Sequence, residues 1–142
     1  GKDVTITNGQ VGAPILFAYL DSVFHDAFSI QKTIAILSGS GIVLLSFFIT
    51  KNIFNYRIAI LTQLFIAFNP MLHYISIQAL NELLPVFLIF VSLYFVTKKE
   101  LGFFDYTIIG ILLGIASLFR LQAIFVLVPI LIFILLINKI LI

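Results

Sequence analysis

The chain has 142 residues, of which 62% are hydrophobic and 10% charged, with a formal net charge of +2 and a mean hydropathy of +1.23. So much apolar surface with so few charges excludes a water-soluble domain, and lipid must serve as much of the solvent. The small charge and scattered lysines give no argument for a nucleic-acid partner, and the absence of cysteine excludes a disulfide framework or a thiolate metal site.

The chain starts at Gly1 rather than Met and opens without a signal peptide, so it reads as a fragment of a longer protein. Gly1–Gly12 is polar and contains an Asn-Gly, a loop composition. Pro14–Phe28 follows. Ile15, Leu16, Ala18, Tyr19, Val23 and Phe24 recur at helical spacing against Asp21, Ser22, His25 and Asp26. With Pro14 at its start, this predicts an amphipathic helix on the membrane surface. Residues 1–31 thus form an outer loop and surface helix.

Apolar blocks at 34–50, 58–72 and 75–96 predict three membrane helices. The last block, Tyr106–Ile137, would run about 48 Å as one straight helix, against a hydrocarbon core of about 30 Å. It therefore predicts two short helices, 106–119 and 121–137, that meet at Arg120. The expected fold class is all-α: a polytopic membrane bundle of about five transmembrane helices plus the surface helix, residues 1–142 forming a single transmembrane domain. The expected location is an integral, multi-pass position in a membrane, the cell membrane in a prokaryote.

Alternation across the membrane puts Lys51, Arg57, Lys98, Lys99 and Lys139 on one side and Lys2, Lys32 and Arg120 on the other. The richer side is predicted to be cytoplasmic. The start of the chain, the link "NPMLHYISIQALNE" and the Arg120 turn then share the outer face.

That outer link is the densest polar stretch near lipid. Asn81 reads as an N-cap and Glu82 as a charge set against the positive end of the helix dipole. On a second reading, Glu82 faces a cavity at the lipid boundary, with Asn81 and His73 beside it. There it would hold Mg or Mn, which in turn would hold a phosphate. Arg120 likewise reads either as a snorkelling anchor or as a clamp on a lipid-borne phosphate, with Gln122 next to it. His73 and His25 read as polar interfacial residues. "GILLG", Gly110–Gly114, and "GSG", Gly39–Gly41, read as helix packing, and the sixteen phenylalanines as lipid-facing or core residues. No nucleophile–base pair or metalloprotease spacing is present.

Three stretches resemble the GT-C superfamily of membrane glycosyltransferases, which includes protein O-mannosyltransferases and the aminoarabinose transferase of lipid A. "GAPILFAYLDSVFHDAFS" resembles the family's proline-led surface helix. "FNPMLHYISIQALNELLPVFLIFVSLYF" is similar to its outer link, in which a proline, a serine and then an acidic residue recur, here Pro70, Ser76 and Glu82. "GILLGIASLFRLQAIFVLVPILIFILL" resembles a glycine-led helix that ends in a basic residue, here Arg120, before a helix with a proline, Pro129. The chain departs from the pattern at Ile77, where some branches carry arginine.

The resemblance implies transfer of a sugar from a polyprenyl-phosphate carrier to a protein, lipid or glycan acceptor on the non-cytoplasmic side, with a metal in some branches. It also implies a general-base Asp upstream of Gly1, so the fragment alone is expected to be inactive. A second reading from the residues is non-enzymatic: a membrane module of a polysaccharide or lipid transporter or flippase, where short paired helices around a buried charge also occur.

Overall fold

A computed structural model describes residues 12–77, 82–98, 101–121, 123–126, 128–130 and 132. Among them six helices are defined: α1 (Gly12–Phe24), α2 (Ala27–Ile53), α3 (Tyr56–Ala67), α4 (Pro70–Ile77), α5 (Leu83–Val96) and α6 (Phe103–Phe119). Further helical residues follow at 123–126, 128–130 and 132. The described residues contain no strand, and the all-helical expectation holds.

The surface helix stops earlier than its apolar spacing predicts. His25 adopts a positive φ of 59°, and Asp26 then starts a new helix, its Oδ1 accepting the Ser29 amide at 3.2 Å. Phe28 therefore belongs to α2, which begins well before the apolar block at 34–50. The polar run Gln31–Thr33 is its first turns: a good cap outweighs a few polar residues.

α2 is long and apolar enough, over Phe28–Ile53, to cross a membrane. Its buried face is Ala35, Ser38, Ile42 and Ser46, mostly small residues at helical spacing. Small side chains let a neighbouring helix approach closely, the usual packing device where lipid removes the hydrophobic drive. A Cβ added at Gly41 would overlap the Phe87 ring of α5, and one at Gly39 would come within 2.8 Å of Ser76 Oγ in α4. The "GSG" is thus a packing feature of the α2–α4 and α2–α5 contacts. The buried hydroxyls of Ser46 and Ser92 are satisfied within their own helices, donating to Val43 O at 2.7 Å and Leu88 O at 3.0 Å.

The block expected as one helix at 58–72 is two helices. α3 ends at Ala67, and α4 starts at Pro70 after a bend of 49°. Proline has no amide to donate and collides with the preceding turn, so it is tolerated only at a helix start. Asn69 fits that start, its Oδ1 accepting the Met71 amide at 2.9 Å. Ile75 consequently lies in α4 rather than opening the helix expected at 75–96, and α5 begins at Leu83.

α5 and α6 pack on each other, α2 packs on α3, α4 and α5, and α1 lies across α2 and α6. Ile109, Leu113, Ala116 and Phe119 form the buried stripe of α6, and Ile109 and Leu113 join Val96 and Ile130 in one core cluster. Much of the outer surface is apolar: Phe65 is 80% exposed and Phe103 and Phe104 are each 81% exposed. Such faces cost too much in water and suit a lipid surround. Gly110 and Gly114 belong to this outward side, with no described atom within 4 Å of an added Cβ, so the two glycines themselves do not pack against a described helix. α3 and α4 pass the length and hydropathy test for a membrane crossing only as a bent pair, and α5 and α6 are shorter apolar helices.

Candidate functional site

α6 ends at Phe119, and the chain breaks where the length argument places the break. Arg120 is extended, with φ −151° and ψ 111°. Its backbone stays satisfied across the break: its amide donates to Ala116 O at 3.0 Å and its carbonyl accepts from Ala123 at 2.9 Å. Phe119 anchors the corner in a cluster with Leu16, Leu20, Ile34 and Leu84. Gly12 abuts it on the other side, where an added Cβ would sit 2.9 Å from the backbone of Leu118. The surface helix thus braces the end of α6, a role that spacing alone did not reveal.

Glu82 occupies the position just before α5, but its side chain makes no cap there. It turns instead to Arg120: Oε1 lies 3.2 Å from Nη2. The reading of Glu82 as a mere dipole partner behind an Asn81 cap is therefore incomplete, since the carboxylate is engaged across helices. The two side chains are 43% and 35% exposed, so the pair sits at a surface. The guanidinium carries five N–H donors, of which Glu82 engages one corner. The remaining donors keep a fixed positive charge on a partly exposed side chain.

His73 is not part of this pair. Its Nε2 lies 2.6 Å from the carbonyl oxygen of Ala67, one of the carbonyls that the end of α3 leaves unpaired. It lines a groove of about 240 Å³ with Ile36, Gly39, Ser40, Leu72 and Ser76. Asn81 and Gln122, the other two sequence candidates, lie outside the described residues. Among the described residues no three His, Asp or Glu side chains gather in a way that could hold a metal ion. The described carboxylate at the site, Glu82, already faces a guanidinium, which opposes a cation at that carboxylate.

At the opposite end of the bundle, Asn52 Nδ2 donates to Thr97 Oγ1 at 3.1 Å, tying α2 to α5. Lys98 Nζ meets Asp105 Oδ1 at 2.8 Å, tying α5 to α6. Asp105 also accepts the Gly102 amide at 3.0 Å, closing the first turn of α6. The Lys98–Asp105 pairing spans one short link and follows from the charge order, although reading the acidic residues by side alone did not single it out.

A family model described as dolichyl-phosphate-mannose-protein mannosyltransferase matches residues 12–141. No curated protein and no solved structure matches the chain.

Proposed function

The chain belongs to the dolichyl-phosphate-mannose-protein mannosyltransferase family, and from that premise we propose that it serves transfer of a sugar from a polyprenyl-phosphate carrier to an acceptor hydroxyl on the non-cytoplasmic face of the membrane. It is a membrane glycosyltransferase module. The proposal extends this to several membrane crossings, with the Glu82–Arg120 end outside and the Lys51–Lys98 end in the cytoplasm.

The observation that carries the reading is the ion pair between Glu82 and Arg120 at 3.2 Å, at the helix ends that the link and the broken last block bring together. In the transfer, the bond between the sugar's anomeric carbon and the carrier phosphate oxygen breaks. A bond from that carbon to the acceptor oxygen forms, and the acceptor's proton passes to a general base. The departing phosphate gains negative charge. Arg120 stabilises that charge through the arm of its fork that Glu82 leaves open. Glu82 is a positioning residue: it holds the guanidinium at one corner and so sets the direction of the others. Because lysine offers a point charge without the fork, Arg120→Lys lowers donor use with little effect on folding.

The test is transfer in proteoliposomes carrying the full protein, with polyprenyl-phosphate mannose as the donor and a nucleotide sugar as the control. The proposal expects transfer from the lipid-linked donor alone, with Arg120→Lys reduced and Arg120→Ala reduced further. Transfer from the nucleotide sugar, or wild-type rates in both variants, would overturn it.

A further inference from the structure

The end of the bundle away from Glu82 and Arg120 carries a feature that sugar transfer does not use. Ile49, Ile53, Leu93, Val96, Val126 and Pro129 line an apolar slot of about 240 Å³ between α2, α5 and the residues after Arg120. Lys51, Asn52, Thr97 and Lys98 line a polar cavity of about 330 Å³. Thr97 lines both, so the slot and the cavity meet at one residue. Along α2 the two sets interleave, Ile49 and Ile53 facing the slot and Lys51 and Asn52 the cavity. An apolar slot that opens into a cationic mouth at a helix end is the complement of an amphiphile with an anionic head.

The charges of the mouth decide the sign of the head. Lys98 is balanced by Asp105 at 2.8 Å, and its Nζ sits 4.2 Å from the centre of the Phe95 ring. Lys51 has no acidic partner among the described residues. Arg57, in the first turn of α3, adds a further exposed cation near this end. Asn52 spends one amide N–H on Thr97 and keeps the other for an incoming oxygen. Among the described residues the mouth therefore presents one unbalanced ammonium and a neutral donor beside an apolar slot.

We propose that this end holds an anionic phospholipid, its headgroup phosphate at Lys51 and Asn52 and part of one acyl chain in the slot that Thr97 borders. The site is separate from the Glu82–Arg120 pair and does not depend on the sugar-transfer reading. A glycerophospholipid satisfies both halves, whereas a free phosphate satisfies only the mouth and a neutral lipid only the slot.

The test is native mass spectrometry of the full protein in detergent, titrated with phosphatidylglycerol, phosphatidylcholine and inorganic phosphate. The wild type is expected to retain phosphatidylglycerol in preference to phosphatidylcholine. A lysine near a membrane surface is worth about a fivefold preference for an anionic head. Lys51→Ala should therefore lower retention of phosphatidylglycerol about fivefold, and Lys51→Glu about twentyfold or more. Val126→Trp, which fills the slot and leaves the charges, should lower retention of both lipids. Equal retention of the two lipids by the wild type, or unchanged preference in Lys51→Glu, would overturn the proposal. Displacement of phosphatidylglycerol by millimolar phosphate would also overturn it, marking a bare anion site.

Discussion

Gly41→Ala isolates the contact that sets α5 against α2, and hence the height at which Glu82 stands. An alanine Cβ there would lie 2.8 Å from Phe87 Cδ2 and 3.3 Å from its Cζ. Ordinary contact is about 3.5–4.0 Å, so the ring must retreat by roughly 1 Å or leave its rotamer, the latter at about 0.5–1.5 kcal/mol. Phe87 packs on the buried cluster of Ala35, Ile42 and Leu83, so its retreat loosens those contacts too. Overpacking of this kind costs about 1–3 kcal/mol. Against this, alanine is favoured over glycine inside a helix by about 1 kcal/mol. The net expectation is a loss of roughly 0–2 kcal/mol in the wild-type background. Phe87→Ala removes the obstacle, and in that background Gly41→Ala should stabilise by about 1 kcal/mol. The assay is thermal unfolding of the detergent-solubilised protein followed by circular dichroism. A change of sign between the two backgrounds is the expected result. If Gly41→Ala shifts Tm equally in both, the close α2–α5 packing is not what places α5.

Asn55 Oδ1 accepts the Ile58 amide at 3.0 Å to start α3, so Asn55→Ala should cost about 0.5–2 kcal/mol in the same unfolding assay, and Asn55→Asp much less. The hydrogen bonds from Ser29, side chain and then backbone, hold the Asp26 carboxyl below the usual carboxylate range. A lowered folded value means that the cap's contribution is complete above the ordinary carboxylate range and is lost as pH falls through the folded value. Amide exchange at the start of α2 should accelerate in that acid window, and Asp26→Asn should remove the dependence. The chain has no cysteine, so single cysteines report sidedness cleanly: Ser22→Cys should react with an impermeant thiol reagent from outside, and Phe54→Cys should not. The reverse pattern would invert the proposed orientation.

Much of the helical order was readable because length and polarity constrain a chain in lipid so strongly. The break at Arg120 follows from comparing an over-long apolar run with the thickness of a bilayer. The meeting of Arg120 with Glu82 follows from alternation plus the cost of leaving two charges unpaired near hydrocarbon. The misplaced boundaries have local causes that hydropathy does not register. Pro70 lies between two apolar stretches, so a window average runs straight through it, whereas the missing amide ends α3. Asp26 caps a helix through a polar stretch that composition reads as a link. His73 looks like a ligand in a list of polar residues, yet it meets a carbonyl that exists only because α3 stops at Ala67. Gly110 and Gly114 have packing spacing, but spacing cannot say which side of α6 faces the bundle. The bracing of the Arg120 corner by Gly12 links residues far apart in sequence and rests on backbone contact, which leaves no pattern in a single chain.

The central claim, that Arg120 receives the phosphate of a polyprenyl carrier, is tested most directly by equilibrium binding of polyprenyl phosphate, with the uncharged polyprenol as the reference ligand. A charge-assisted hydrogen bond is worth about 1.5–3 kcal/mol, so the wild type should bind the phosphate roughly 10- to 150-fold more tightly than the alcohol. Arg120→Ala should bring the two affinities together while leaving that for polyprenol unchanged. A preference for the phosphate that survives intact in Arg120→Ala would contradict the account and leave Arg120 as an interfacial anchor paired with Glu82.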